Sequence, residues 1–289
     1  MNHITGHTGF MALLGSPVSH SVSPLMHNES FRKLNLDYVY LCFDVTEETL
    51  PEAVAGLKTC GIRGFNLTMP CKNKVAELLD ELSPAAKMIG AINTVVNENG
   101  RLIGYNTDGI GYMQSIIDAG YNVIGKTMTV MGAGGAATAI CAQAALDGVK
   151  KLHIFARPTS RFWERTVKLV ETNNTTTECK AILHDNADSA ALKAAALESA
   201  LLVNATSVGM APNTDASIIT DTSIFHPDLI VSDIIYNPRE TRLLREAREA
   251  GCRTFNGMYM LLYQGAEAFR LWTGHDMPVD HIKAMYFSN

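Results

Sequence analysis

The chain has 289 residues, with 24 Lys plus Arg against 29 Asp plus Glu, a formal net charge of −5. Hydrophobic residues make up 47% and charged residues 18%, enough apolar surface for about two domains of ordinary size and too much for a disordered chain. The mild acidity argues against a reader of nucleic-acid backbones, which needs a basic surface.

No uninterrupted apolar run of about 18 residues is present to span a bilayer. The opening MNHITGHTGF carries neither the basic nor the apolar region of a secretory signal. Cys42, Cys60, Cys71, Cys141, Cys179 and Cys252 form no C-x-x-C pair, so neither a zinc ribbon nor a thioredoxin-like motif is expected. His20 and His27 lie seven apart with no carboxylate or Cys at ligand spacing, so no metal site is expected. The expectation is a cytoplasmic protein with reduced thiols, acting on a small molecule, with neither nucleic acid nor membrane as partner.

In chain order, Phe10 to Leu14 reads as a short strand ending in the turn Gly15-Ser16-Pro17. Pro24 opens a helix, because its missing N–H costs nothing in a first turn. Tyr38 to Val45 is a strand by its aromatic and β-branched content. Leu50, Val54 and Leu57 are spaced for one face of a helix within Glu47 to Cys60. Gly64 to Met69 is strand-like. Val75, Leu78, Leu79 and Leu82 predict a helix over Cys71 to Leu82. Ala91 to Val96 and Arg101 to Tyr105 flank Asn97-Glu98-Asn99-Gly100, a hairpin signal.

A second unit begins with a strand at Thr127 to Val130, followed by Gly132-Ala133-Gly134-Gly135-Ala136-Ala137 and a helix over Thr138 to Leu146. Further strands are expected at Leu152 to Phe155, Ala181 to Leu183, Leu201 to Val203 and Leu229 to Ile235, with helices at Phe162 to Glu171 and Ser189 to Glu198. Such alternation predicts a doubly wound, mostly parallel sheet. Met258 to Trp272 reads as a terminal helix that leaves this sheet.

The glycine run matches G-x-G-x-x-G/A, with Ala137 last. Its first glycine permits a tight turn, its second lets backbone approach a pyrophosphate, and the following helix N-terminus supplies amides. Its place between a strand and a helix favours dinucleotide binding over an ordinary glycine turn. At the end of the next strand an NAD site usually carries Asp or Glu. Here Arg157, Thr159, Ser160 and Arg161 offer two guanidinium groups and two hydroxyls, a clamp suited to the 2′-phosphate of NADP. A solvated basic loop is the competing reading, and NAD stays open.

Three polar patches in the first unit are candidates for chemistry. Ser21 and Ser23 alternate, so in an extended segment both hydroxyls face one way; Ser23 also suits a helix cap ahead of Pro24. Asn66 and Thr68 share a strand face with Lys72 just beyond its end. Asp108 follows Asn106-Thr107 at another strand end, with Asn93 on the preceding strand. Carboxyl ends of strands are where α/β sheets bind ligands. A Lys beside a carboxylate suits proton transfer at a secondary alcohol that gives up hydride, a role contributing about 10²- to 10⁴-fold in rate.

The runs G-x-P-x-x-H-S-x-S-P-x-x-H-N at 15–28, G-F-N-L-T-x-P-x-K at 64–72, A-I-N-T at 91–94, N-T-D-G at 106–109 and G-A-G-G-A-A at 132–137 resemble the shikimate dehydrogenase family. So do N-A-T-S-V-G-M at 204–210, Asp233 to Pro238, and Gly257 to Gln264 with Gly265-Ala266. The resemblance covers essentially the whole chain. It implies an α/β fold with an N-terminal substrate domain and a Rossmann NADP domain, the active site in the cleft between them. In the family the C-terminal helices return to the first domain, which implies 1–108 plus 258–289 as the substrate-binding and catalytic domain and 109–257 as the dinucleotide domain.

The implied activity is reversible NADPH-dependent reduction of 3-dehydroshikimate to shikimate, in the route to chorismate and the aromatic amino acids. By the same resemblance Ser21 and Ser23 hold the substrate carboxylate, and Thr68, Asn93 and Asp108 bind ring hydroxyls. Tyr236 and Gln264 close the pocket; Lys72 is the acid/base and Asp108 its partner. Gly132, Ala133, Gly134, Gly135 and Ala136 cradle the pyrophosphate, Arg157 and Arg161 meet the 2′-phosphate, and Ile234 and Gly257 line the nicotinamide side.

Some positions depart from the family pattern. Ala156 and Pro158 stand where NADP-dependent members carry Asn and Thr in N-R-T-x-x-R, and Tyr259 replaces the glycine of a G-x-G-M turn. Phe162-Trp163 and the tail from Leu271 to Asp280 look closer to the quinate/shikimate branch, which leaves quinate and NAD open as alternatives. A homodimer also stays open, since no sequence feature decides it.

Overall fold

The computed structural model describes residues 4–287. The chain divides into two compact units, Met1–Thr107 with Leu262–Asn289, and Asp108–Leu261.

The first unit is built on a six-stranded mixed sheet of order β2-β1-β3-β5-β6-β4: β1 (Gly9–Gly15), β2 (Tyr38–Asp44), β3 (Gly64–Leu67), β4 (Glu81–Leu82), β5 (Thr94–Glu98) and β6 (Arg101–Tyr105). Strand β1 pairs in parallel with β2 and β3, whereas β5 pairs antiparallel with β3 and β6. Glu98 faces Arg101 across a two-residue turn. Asn99 (φ 53°) and Gly100 (φ 90°) both take the left-handed backbone that turn requires.

Helix α1 (Ser23–Lys33) has Pro24 in its first turn, and α2 (Leu50–Thr59) buries Leu50 and Val54. A core of Leu14, Phe65, Leu67, Val75, Ile92 and Val95 sits between α2 and the sheet. The long C-terminal helix α9 (Met258–Thr273) contributes Phe269 and Trp272 to the other side. The Trp272 indole N–H donates to the Val95 carbonyl at 2.9 Å, and it fits because Gly64 has no Cβ, which would overlap the indole. The short α3 (Pro84–Ile89) and α10 (Val279–Ile282), and a π-helical turn at Lys283–Phe287, complete this unit.

The predicted helix over Cys71 to Leu82 is not formed. The chain makes a 3-10 turn at Lys74–Leu78 and then extends as β4. Asp80 is the cause: its N–H donates to the Leu102 carbonyl at 2.9 Å and its carboxylate accepts the Leu102 N–H at 2.7 Å. That pair draws the segment onto the edge of β6, parallel to it.

The second unit is a doubly wound sheet, all parallel, of β7 (Thr127–Met131), β8 (Lys151–Ala156), β9 (Lys180–Asp185), β10 (Leu201–Asn204), β11 (Ile230–Asp233) and β12 (Arg253–Phe255). Its order, β9-β8-β7-β10-β11-β12, numbers 3-2-1-4-5-6 within the unit, the Rossmann arrangement. The inner strands β7, β8, β10 and β11 are almost wholly buried, as a sheet covered on both faces requires, whereas the edge strands β9 and β12 are partly exposed.

Helices α5 (Gly135–Leu146), α6 (Trp163–Thr176) and α7 (Ser189–Glu198) connect the strands. The sequence reading did not include α4 (Asp108–Asp118) or α8 (Arg242–Glu249). The strand order reverses between β7 and β10, so the ligand crevice of this sheet lies at their carboxyl ends.

No helix among the described residues is long and apolar enough to cross a membrane. Cys60 is exposed and Cys42 half-buried, while Cys71, Cys141, Cys179 and Cys252 are buried and unbridged.

Candidate active site

In the first unit a set of buried polar side chains lies at the strand ends. Asn93 directly precedes β5 and is its centre. The Asn93 carbonyl accepts the Leu67 N–H at 2.8 Å, and its own N–H donates to the Tyr105 carbonyl at 3.1 Å. Its side-chain Oδ1 accepts the Thr107 N–H at 2.8 Å, and its Nδ2 donates to Thr107 Oγ1 at 2.9 Å. The Gln264 amide oxygen, on α9, lies 3.5 Å from the same Nδ2. Beneath this, Asn66 Nδ2 donates to Thr94 Oγ1 and Asn66 Oδ1 accepts the Tyr40 hydroxyl at 2.8 Å.

Thr68 and Lys72 join the same framework. The Thr68 N–H continues the ladder to the Leu14 carbonyl at 2.9 Å, and the Lys72 carbonyl accepts the Ile92 N–H at 3.0 Å. Lys72 is thus anchored one residue from Asn93, with its side chain half-buried. Thr107 directly precedes Asp108, which opens α4 as the acidic residue of its first turn.

Ser21 and Ser23 do not lie on an extended segment. Val22 is helical (φ −86°, ψ −7°), and the Ser21 hydroxyl accepts the Ser23 N–H at 3.2 Å. The pair forms a serine turn at the start of α1, with Ser23 buried, Ser21 half-buried and neither the N-cap. The Ser21 hydroxyl also meets the Cys42 thiol.

His27, on the same helix, is fully buried, stacked on Tyr40 at 4.4 Å with Trp272 at 5.3 Å. Both its ring nitrogens lack a hydrogen-bond partner, and burial lowers its pKa to about 3.

In the second unit the glycine turn is shaped to receive a large anion. Gly132 has φ +126°, and a Cβ there would sit 2.8 Å from the Ala205 carbonyl oxygen, which follows β10. Cβ atoms at Gly134 and Gly135 would project into open space, space that closely approaching phosphate groups would need. Gly134 is the N-cap of α5 and provides no side-chain acceptor, so the first amides of this 12-residue helix await an external one. A dinucleotide pyrophosphate fits this donor set, and no metal is needed to hold it. Among the described residues no three His, Cys, Asp or Glu side chains group to hold a metal ion.

Arg157 and Arg161 are both exposed, on the loop after β8. Gly257 packs directly on Ile234, whose carbonyl oxygen a Cβ would overlap. Tyr236, close by in sequence, is exposed.

Beside these lies a cluster to which the sequence reading gave no roles. Asp233, at the end of β11, is fully buried, and its carboxylate accepts from Asn204 Nδ2 at 3.1 Å, the Ile235 N–H at 3.0 Å and Thr241 Oγ1 at 2.8 Å. Burial outweighs these donors and pushes its pKa up to about 6. The signal available was a polar residue closing an apolar strand run, at Asn204 and again at Asp233.

Residues 13–95 match the family model of the shikimate dehydrogenase substrate-binding domain, and 257–284 that of the shikimate 5′-dehydrogenase C-terminal domain. A shikimate dehydrogenase (NADP(+)) of Listeria innocua is 51% identical over 98% of this chain and 97% of its own. The chain belongs to the shikimate dehydrogenase family.

Among family structures, shikimate 5-dehydrogenase from Listeria monocytogenes, in complex with shikimate and NAD, superposes with a TM-score of 0.94 at 50% identity, covering 99% of this chain and 98% of that one. Quinate dehydrogenase from Corynebacterium glutamicum, in complex with NAD, reaches a TM-score of 0.84 at 30% identity, covering 98% and 99%.

Proposed function

We propose that the protein is a shikimate dehydrogenase, interconverting shikimate and 3-dehydroshikimate with NADP in the route to chorismate and the aromatic amino acids. The observation that carries this reading is the backbone bond from the Ile92 N–H to the Lys72 carbonyl, which sets Lys72 one residue from Asn93 at the strand ends of the first unit, in a chain half identical over its length to a shikimate dehydrogenase.

Ser21 and Ser23 take the substrate carboxylate on their hydroxyls. Thr68, Asn93 and Asp108 bind the ring hydroxyls, and Gln264 and Tyr236 are further substrate-binding residues. The Lys72 amine takes the hydroxyl proton as hydride leaves the carbon, becoming the ammonium that returns it in the reverse direction, with Asp108 as its partner. NADP, when bound, supplies the hydride acceptor. Gly132, Ala133, Gly134, Gly135 and Ala136 hold its pyrophosphate on backbone amides, Arg157 and Arg161 meet the 2′-phosphate, and Ile234 and Gly257 form the nicotinamide side.

The site of action is the cytoplasm and the partner a small molecule. Light scattering of the purified protein decides between monomer and homodimer.

The test is the initial dehydrogenation rate for shikimate and for quinate, each with NADP and with NAD. Shikimate with NADP is expected to lead by more than tenfold, a transition-state preference of about 1.4 kcal/mol. Comparable rates with quinate or NAD would instead assign the chain to the quinate/shikimate branch.

A further inference from the structure

The loop after β8 and the first turn of α6 carry three arginines, Arg157, Arg161 and Arg165. Among the described residues no carboxylate forms an ion pair with any of them. Two of them share one aromatic ring. The Arg161 guanidinium carbon lies 4.7 Å from the centroid of Phe162, and that of Arg165 lies 4.8 Å from the same centroid. The ring quadrupole attracts each cation, but the two cations repel one another. Burial and the field of Arg161 together hold the Arg165 guanidinium below its usual range.

Arg165 also reaches the phosphate-binding turn. Its Nη2 approaches Thr138 Oγ1 at 3.4 Å, and that hydroxyl donates to the Gly134 carbonyl at 2.9 Å. Gly134 is the N-cap of α5, so Arg165 links the arginine loop to the amides of the glycine turn. Its Nε is buried with no hydrogen-bond partner. A half-buried guanidinium with an idle donor, a like-charged neighbour and no counter-ion is arranged for an anion from outside. A phosphate dianion offers the paired oxygens that the planar guanidinium fork prefers.

We propose that Arg165 is a third residue recognising the 2′-phosphate of the dinucleotide, acting with Arg161 across the Phe162 ring and setting the preference for NADP over NAD. The proposal deepens the NADP-linked reading above and rests on it. It also accounts for the departure at Ala156 and Pro158: polar side chains missing there are replaced by a cation arriving from α6.

The test compares Arg165→Met, which keeps the aliphatic cover on Phe162, with Arg165→Lys, which keeps the charge without the fork. Two readouts are taken: KM for NADP and for NAD at saturating shikimate, and calorimetric Kd for adenosine 2′,5′-bisphosphate and for 5′-AMP. With Arg165→Met, the KM for NADP and the Kd of the bisphosphate are expected to rise about tenfold. The values for NAD and 5′-AMP should move less than twofold, and Arg165→Lys should recover part of the loss.

A merely structural role, seating α6 on α5, would weaken both members of each pair by the same factor, and that result overturns the proposal. So does no change in any value. A wild-type chain that binds the two adenosine phosphates equally overturns the 2′-phosphate assignment altogether. A chain that prefers the bisphosphate but fails to turn over shikimate overturns the catalytic reading and leaves the role of Arg165 supported.

Discussion

Asn93 Oδ1 accepts the backbone N–H of Thr107 at 2.8 Å, so a side chain just ahead of β5 fixes the residue that precedes Asp108. The amide does two jobs with its two ends, since Nδ2 bonds the Thr107 hydroxyl and faces Gln264. Replacing Asn93 with Ala leaves the buried Thr107 N–H without its acceptor, a loss of about 1–3 kcal/mol. Denaturant unfolding should show that loss. On the proposed roles of Asn93 and Asp108, the value of kcat/KM should fall by about 10²-fold or more, because Thr107, the residue before Asp108, loses its anchor. Activity within threefold of wild type would show that Asn93 is a scaffold residue only.

Lys72→Met tests the proton-transfer step alone. The aliphatic stem stays, and the carbonyl bond to Ile92 is untouched. The expected result is a kcat lower by about 10²- to 10⁴-fold, with KM for shikimate within a few fold and an unchanged thermal midpoint. A kcat above one tenth of wild type would remove Lys72 from the mechanism.

Asp233 gives a pH dependence of defined sign. Its pKa rises from 3.8 to about 6 on folding, so between those values the native state holds more proton than the unfolded chain. Its contribution to stability is complete below pH 4 and is lost as pH rises through 6, about 3 kcal/mol in total. Measured against Asp233→Asn, which cannot titrate, wild-type stability should decline by that amount from pH 4 to pH 7. A difference curve that is flat across this window would show that Asp233 stays ionised in the native protein.

His27 titrates in the opposite sense. Folding lowers its pKa from 6.5 to about 3, so the unfolded chain takes the proton first as pH falls. Stability is complete above pH 6.5 and is lost below it, by up to about 5 kcal/mol as pH approaches 3. The aromatic replacement His27→Phe, which leaves no idle ring nitrogen, should flatten the acid limb of the stability profile. An unchanged limb would assign acid lability to other groups.

Much of this fold could be read from local pattern, and the exceptions have particular causes. Strands β7, β8, β10 and β11 are short apolar runs buried on both faces, and the Asn99-Gly100 turn announces its own geometry. Helix α4 was hidden because its first turn carries Gly109, a weak helix former. That glycine is required by packing, since a Cβ would overlap the Ala139 carbonyl of α5. The spacing of Val75, Leu78, Leu79 and Leu82 fits a helix, but two bonds between Asp80 and Leu102, 22 residues away, prevail over it. At the site, Lys72, Asn93 and Asp108 stood out as polar groups at strand ends. The raised pKa of Asp233 and the position of Arg165 depend on burial and on neighbours distant in sequence, which no local pattern carries.

The distribution of thiols makes the unmodified chain its own substrate for single-site labelling. Cys60, closing α2, is the one exposed cysteine of the six, all of them among the described residues; four are buried, and burial pushes the half-buried Cys42 thiol up, which keeps it protonated. A maleimide dye at neutral pH therefore reports from one known position, without a cysteine-free background having to be built first.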